Sequence, residues 1–340
     1  MAITINHQTN DLSATSGTIT IDGSSVAGLT GITDSASPYS VALGFEALNA
    51  TPTGTSNIGI GRASGYSITT GTSNVYMGAY AGYATTTAVH NTGIGNSSLD
   101  SITTGNQNTA LGYGTGGSVT TGQRNTMLGM SAFSTATGSN NIAIGYQTMY
   151  QGTGDDNVAV GHSSMRQLTS GHTNVAVGHS AMNQNSSGTY NIAVGHDALR
   201  SNTTGQRNVA IGDAALYSTT TGVQNVAIGT NALNENVTGE YNVAVGYYAL
   251  DKTTVDHNTA VGTHAGQNIT TGERNVAMGY QAMMTGVVTG DDNVAIGYKA
   301  GLAITSGGAN VLLGHDSGQT NTTGFANTST GTEAGQYLTT

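Results

Sequence analysis

The chain is 340 residues long, carries a formal net charge of −10, and contains 51 glycines but no cysteine. Only 8% of its residues are charged, and its eight Lys and Arg are scattered. That excludes the basic stripe of a nucleic-acid binder and the polybasic face that holds a protein to an anionic membrane, while the missing cysteine excludes disulfides.

The first segment, Met1-Ala2-Ile3-Thr4-Ile5-Asn6-His7, has neither a basic n-region nor a long apolar stretch, so no secretory signal is expected. Nor does any later stretch approach the ~20 apolar residues of a bilayer span. Ala2–Asn6 and Gly17–Asp22 alternate apolar and polar residues, predicting two strands joined by a polar loop. Gly28–Pro38 reads as a connector that ends at the proline. Residues 1–38 lack the repeat that follows, and are expected to cap the exposed strand edge and attach the chain to a partner.

From about residue 40 to the end, Asn-Val-Ala-Ile-Gly or a close variant recurs every 17 residues. It stands at Asn57–Gly61, Asn74–Gly78, Asn108–Gly112, Asn174–Gly178, Asn208–Gly212, Asn225–Gly229, Asn242–Gly246 and Asn275–Gly279, among others. The final glycine anchors 18 units spaced by 16, 17 or 18 residues, and Asn precedes it by four positions in 17 of them, Ser40 replacing it in the first. So regular an array predicts one elongated object over residues 39–340, not a row of globular domains.

The columns of this array have distinct chemistry. Between Asn and the anchor lie an apolar, a small and an apolar residue, as in Val209-Ala210-Ile211, the alternation of a short strand with two unlike faces. A small residue and then Leu, Met or Gly follow three and four positions after the anchor, as in Ala215-Leu216. A second glycine, as in Thr220-Thr221-Gly222, comes ten positions after it. Gly and Asn tolerate the positive φ of sharp corners, so each unit is expected to be one coil holding two short strands. The expected fold is all-β: a parallel β-solenoid of about 18 coils. Coils stacked at ~4.8 Å give a rod on the order of 80–90 Å. The Val and Ile columns are expected to form the ladder core, Asn a hydrogen-bonded amide ladder, and the outward alanine column a close chain–chain contact in a homotrimer.

The candidate chemistry is sparse. His162, His179 and His196 occupy one column on successive coils, just after the anchor. Imidazole is the commonest metal ligand, but the reading favoured is a stacked aromatic ladder. Asp155-Asp156 and Asp291-Asp292, in two Thr-Gly-Asp-Asp-Asn turns, are too few oxygens for the six to eight that Ca²⁺ takes. No bound metal or cofactor is therefore expected. The remaining acids stand singly on turns with no triad or glycosidase pair discernible, so no enzyme is expected. A flat threonine array for ice binding is disfavoured because adjacent threonines alternate faces.

The repeat resembles two known groups. Asn-Val-Ala-Ile-Gly-x-x-Ala-Leu is similar to the head repeats of trimeric autotransporter adhesins, although their usual period is shorter. Asn202–Gly212, Asn-Thr-Thr-Gly-Gln-Arg-Asn-Val-Ala-Ile-Gly, is similar to the repeats of phage tail-fibre-like proteins. His7–Gly17 is likewise similar to the N-termini of marine and cyanobacterial phage structural proteins. The second resemblance implies a non-enzymatic, homotrimeric virion fibre assembled in the host cytoplasm. Residues 1–38 would attach it to a tail or capsid protein, and its projecting part would meet a host surface receptor. The alternative is a bacterial surface adhesin head. Neither an endosialidase-type chaperone nor an autotransporter signal or membrane barrel is visible in the sequence. The expectation is that such a chaperone has been removed or that another protein caps this end.

Overall fold

The computed structural model describes residues 3–6, 11–14, 39–50 and 53–337. Within them the protein is all-β, a parallel β-solenoid with one three-residue strand per repeat. Contacts divide the chain into two units, Met1–Ile144 and Gly145–Thr340. The first holds seven repeat strands, from Val41–Leu43 to Ile142–Ile144, and the second eleven, from Val158–Val160 to Thr328–Thr330. In each unit the strands pair in parallel, with like residues aligned, as where Val209, Ala210 and Ile211 face Val226, Ala227 and Ile228.

Two expectations are corrected at this level. Ile3–Asn6 is a strand, but it pairs antiparallel with Asp11–Ala14, inside the stretch read as a loop. So short a separation suits a hairpin. The other proposed strand, Gly17–Asp22, and the connector to Pro38 lie outside the described residues. Most coils also carry one regular strand rather than the two expected. A second, two-residue strand forms only at Thr135–Ala136 and Gln151–Gly152, which pair with each other. Elsewhere among the described residues the rest of the circuit is mainly turns and bends, as dense Gly, Thr and Ser favour.

The larger correction concerns which face is inside. Ala210 has no exposed surface, whereas Ile211 is 39% exposed and Val209 is half-buried. The same order holds through Ala176, Ala193, Ala227 and Ala244. The sequence reading put the β-branched pair inside; the structure puts the alanine there, with Ala215 and Leu216 of the next corner. The reason is volume. A 17-residue circuit leaves a narrow lumen, and one Leu or Met per coil nearly fills it. Close packing then admits only a methyl group opposite.

The corners are held by backbone geometry. The anchor glycines have φ between +119° and +142°, a region closed to residues with a Cβ. A Cβ on Gly212 would also stand 2.7 Å from the carbonyl of Gly229 on the next coil. Three non-glycine columns are left-handed as well, shown by Ala214 at φ 53°, Leu216 at φ 52° and Gln224 at φ 58°.

The asparagine ladder forms as expected, and its interior members use their polar atoms fully. Asn208 Oδ1 accepts the backbone N–H of Asn225 at 3.0 Å and its Nδ2–H at 3.1 Å. Asn208 Nδ2 donates to Asn191 Oδ1 at 3.2 Å and to the Gly222 carbonyl at 2.7 Å. A buried amide with two donors and a two-lone-pair acceptor is thus fully used. The carbonyl of the second glycine column lies beneath the amide, a contact Ala88 and Val255 also make where they replace the glycine. A Cβ on Gly222 would stand 2.7 Å from the Gly239 carbonyl oxygen. Ser40 plays the acceptor part in the first coil, taking the N–H of Asn57 at 3.1 Å.

A further inward column, seven positions after the anchor, escaped the sequence reading because its chemistry varies. It is apolar at Ile68, Ile102 and Leu168 but polar at Asn185, Asn202 and Thr219, all buried. Asn202 Nδ2 donates to Asn185 Oδ1 at 3.1 Å, a second short amide ladder that offsets the cost of burial.

Candidate functional site on the outer face

With alanine turned inward, the outer face of the strand ladder is apolar. In the second unit Val177, Ile192, Val194, Ile211 and Ile228 are 37–41% exposed, on consecutive coils. Single exposed apolar residues are ordinary, but a contiguous band marks an interaction surface.

Beside this band runs the column just after the anchor glycine, where parallel stacking places ring over ring. Tyr146, His162, His179 and His196 form a run with centroid separations of 5.2, 4.9 and 5.1 Å, the two His–His pairs within 13° of parallel. Tyr280, Tyr298 and His315 form a second run at 5.5 and 4.8 Å. The aromatic ladder expected from the sequence is therefore present in both runs. The rings cover one another's faces, so what solvent meets is mostly their edges.

At the end of the first run the histidines meet carboxylates. His196 Nδ1 lies 3.0 Å from Asp213 Oδ1 on the following coil and 3.5 Å from Asp197 Oδ2 beside it. Asp197 Oδ1 lies 3.5 Å from Arg200 Nε. One ligand atom each from His179, His196 and Asp197 fall within 4.8 Å of one another. Sequence reasoning found the two histidines but not Asp197. The signal lay in its place two residues after the anchor, where φ is 54° and the carboxylate turns back beside its neighbour.

The Thr-Gly-Asp-Asp-Asn turns resolve differently. Arg274, one coil earlier, places Nε 2.7 Å from Asp292 Oδ1 and Nη2 3.4 Å from Asp291 Oδ2, with Glu273 at 2.9 Å from Nη1. The guanidinium stands where a cation would have to stand. Its hydrogen bond holds the Asp292 carboxyl below the usual carboxylate range, and that same contact raises the arginine's own value. Asp155 and Asp156 are exposed at the equivalent corner, and the next coil there contributes His172 and Thr173 rather than more carboxylates.

The threonine corners also differ from a free hydroxyl array. Thr203 Oγ1 donates to the Thr220 carbonyl at 3.0 Å, and Thr220 Oγ1 to the Val237 carbonyl at 3.2 Å. These hydroxyl protons are spent between coils.

No protein-family model, curated protein or solved structure matches the chain.

Proposed function

We propose that the protein is a structural fibre component of a bacteriophage particle, non-enzymatic and homotrimeric. Residues 1–38 would join it to a tail or capsid protein, and the solenoid would project for host attachment. The observation that carries this reading is the outward apolar band, made of Val and Ile alone on the six consecutive strands from Val158–Val160 to Val243–Val245. A band that no element of the described chain covers is suited to burial against copies of the same chain, whose identical period lets the bands run in register. The band replaces the alanine column as the trimer surface. Ladders of like residues, each coil supported by its neighbours, supply the stiffness a fibre needs. Turn side chains repeated along the array supply weak contacts whose avidity comes from copy number.

Immunogold electron microscopy of intact particles tests the assignment: label on a projecting fibre supports it, and label absent from purified particles rejects it. Removal of residues 1–38 is expected to leave a folded repeat region that no longer enters particles. Sedimentation equilibrium of the full chain is expected to give three times the 34.2 kDa chain mass.

A further inference from the structure

We infer that His179, His196 and Asp197 form a binding site for a divalent transition-metal ion on the side of the second unit. The three side chains come from two adjacent coils, and their ligand atoms lie within 4.8 Å of one another. An ion would draw the three ligand atoms together by rotation about the side-chain torsions. Two imidazoles with one carboxylate suit Zn²⁺, Co²⁺, Ni²⁺ or Cu²⁺, not the all-oxygen shells of Ca²⁺ and Mg²⁺. Both histidines are exposed, so an ion has access and would keep at least one coordination position for solvent or another ligand.

The support around the site is already ordered. The histidines follow two residues after paired strands, Val175–Val177 and Ile192–Val194, whose parallel register stacks them one above the other. Asp197 is largely covered, its side chain 16% exposed, and is braced by Arg200. The arginine adds unfavourable positive charge, which Asp213, 3.0 Å from His196 Nδ1, offsets with a second carboxylate. The chain also contains a natural comparison. His315 and Asp316 repeat the His-Asp pair at 3.0 Å, but the preceding coil supplies Tyr298 instead of a second imidazole. The inference uses residues of one chain and does not depend on the fibre assignment.

The test is Zn²⁺ titration of the full chain, free of any polyhistidine tag, by isothermal calorimetry, with the visible absorption of Co²⁺ as a second readout. One saturable site per chain is expected. Affinity should fall at least tenfold in His179→Ala, in His196→Ala and in Asp197→Asn, and stay unchanged in His315→Ala. Circular dichroism checks that each variant is folded, with His179→Gln and His196→Gln as replacements for one that is not. No saturable uptake by the wild type, or uptake left unchanged by any one of the three ligand substitutions, overturns the proposal.

Discussion

A Cβ added to Gly82 would stand 2.5 Å from three atoms of the Tyr76 ring. Tyr76 occupies the inward position that alanine holds in most coils, and it is fully buried. The room for its ring comes from glycine at Gly65, Gly82 and Gly93, each within 3.4 Å of it by the same measure. Its hydroxyl accepts a hydrogen bond from Thr85 Oγ1 at 2.9 Å. The same exchange recurs where Met127 lies 3.0 Å from the Cβ position of Gly116, and where Leu312 lies 2.6 Å from that of Gly318. A large residue in one inward column is matched by the loss of a side chain in another, so the lumen keeps nearly constant volume.

Gly82→Ala is therefore expected to destabilise the first unit by about 2–4 kcal/mol, combining overpacking with a side chain at left-handed φ. Tyr76→Ala leaves a cavity and should cost about 3–5 kcal/mol. Urea unfolding of the full chain reads both. Equal stability of Gly82→Ala and wild type would mean the ring and glycine do not share this space.

Asn208→Ala removes an amide that serves two neighbouring coils and leaves the buried N–H of Asn225 without its acceptor. The expected loss is about 2–4 kcal/mol, since an unsatisfied buried donor costs about 1–3 kcal/mol beyond the bonds lost. Asn327 is the comparison. It is the last asparagine of the column, and its Nδ2 finds no partner among the described residues. Asn327→Ala should cost under about 1 kcal/mol. Similar losses at both positions would deny the ladder its role.

Asp251 is buried, with Gln267 Nε2 3.5 Å from its carboxylate. Burial, the largest influence, pushes its carboxyl above the usual carboxylate value; Glu235 adds to the rise, while the Gln267 contact, Lys252 and His264 oppose it. The fold thus favours the protonated acid. Its contribution to stability is complete below the unfolded-state value, about 3.9, and is lost as pH rises through the higher folded-state value. Asp251→Asn, which mimics the protonated acid, should raise the melting temperature at pH 7 and leave it unchanged below about pH 4. Thermal melts across that range check the crossing.

If the outward apolar band is the surface between chains, charge placed in it should separate them. Ile211→Lys with Ile228→Lys is expected to give folded monomers, because both positions are 39% exposed in the single chain and neither fills its lumen. Sedimentation and far-UV circular dichroism together give the answer. A trimer that survives both substitutions places the interface elsewhere.

What the sequence determined by itself was everything that depends on period. The repeat of about 17 residues dictated coil number, parallel register and the stacking of like on like. The anchor glycines and the asparagine column were legible because each does the same task in every coil, and only one residue type can do it: Gly where a Cβ would strike the next carbonyl, Asn where two donors and an acceptor are needed at once. The direction of the strand faces was not legible. Alternation in Val209-Ala210-Ile211 separates two faces but carries no sign, and hydrophobicity alone chose the wrong one. The tertiary structure decided it through the width of the lumen, which admits alanine with leucine and excludes a β-branched pair. The variable inward column beginning at Ile68 and the approach of Asp197 to the histidines were hidden for a related reason. Both are set by left-handed corners that aim a side chain, and corner geometry is written in the closed coil rather than in any one residue's chemistry.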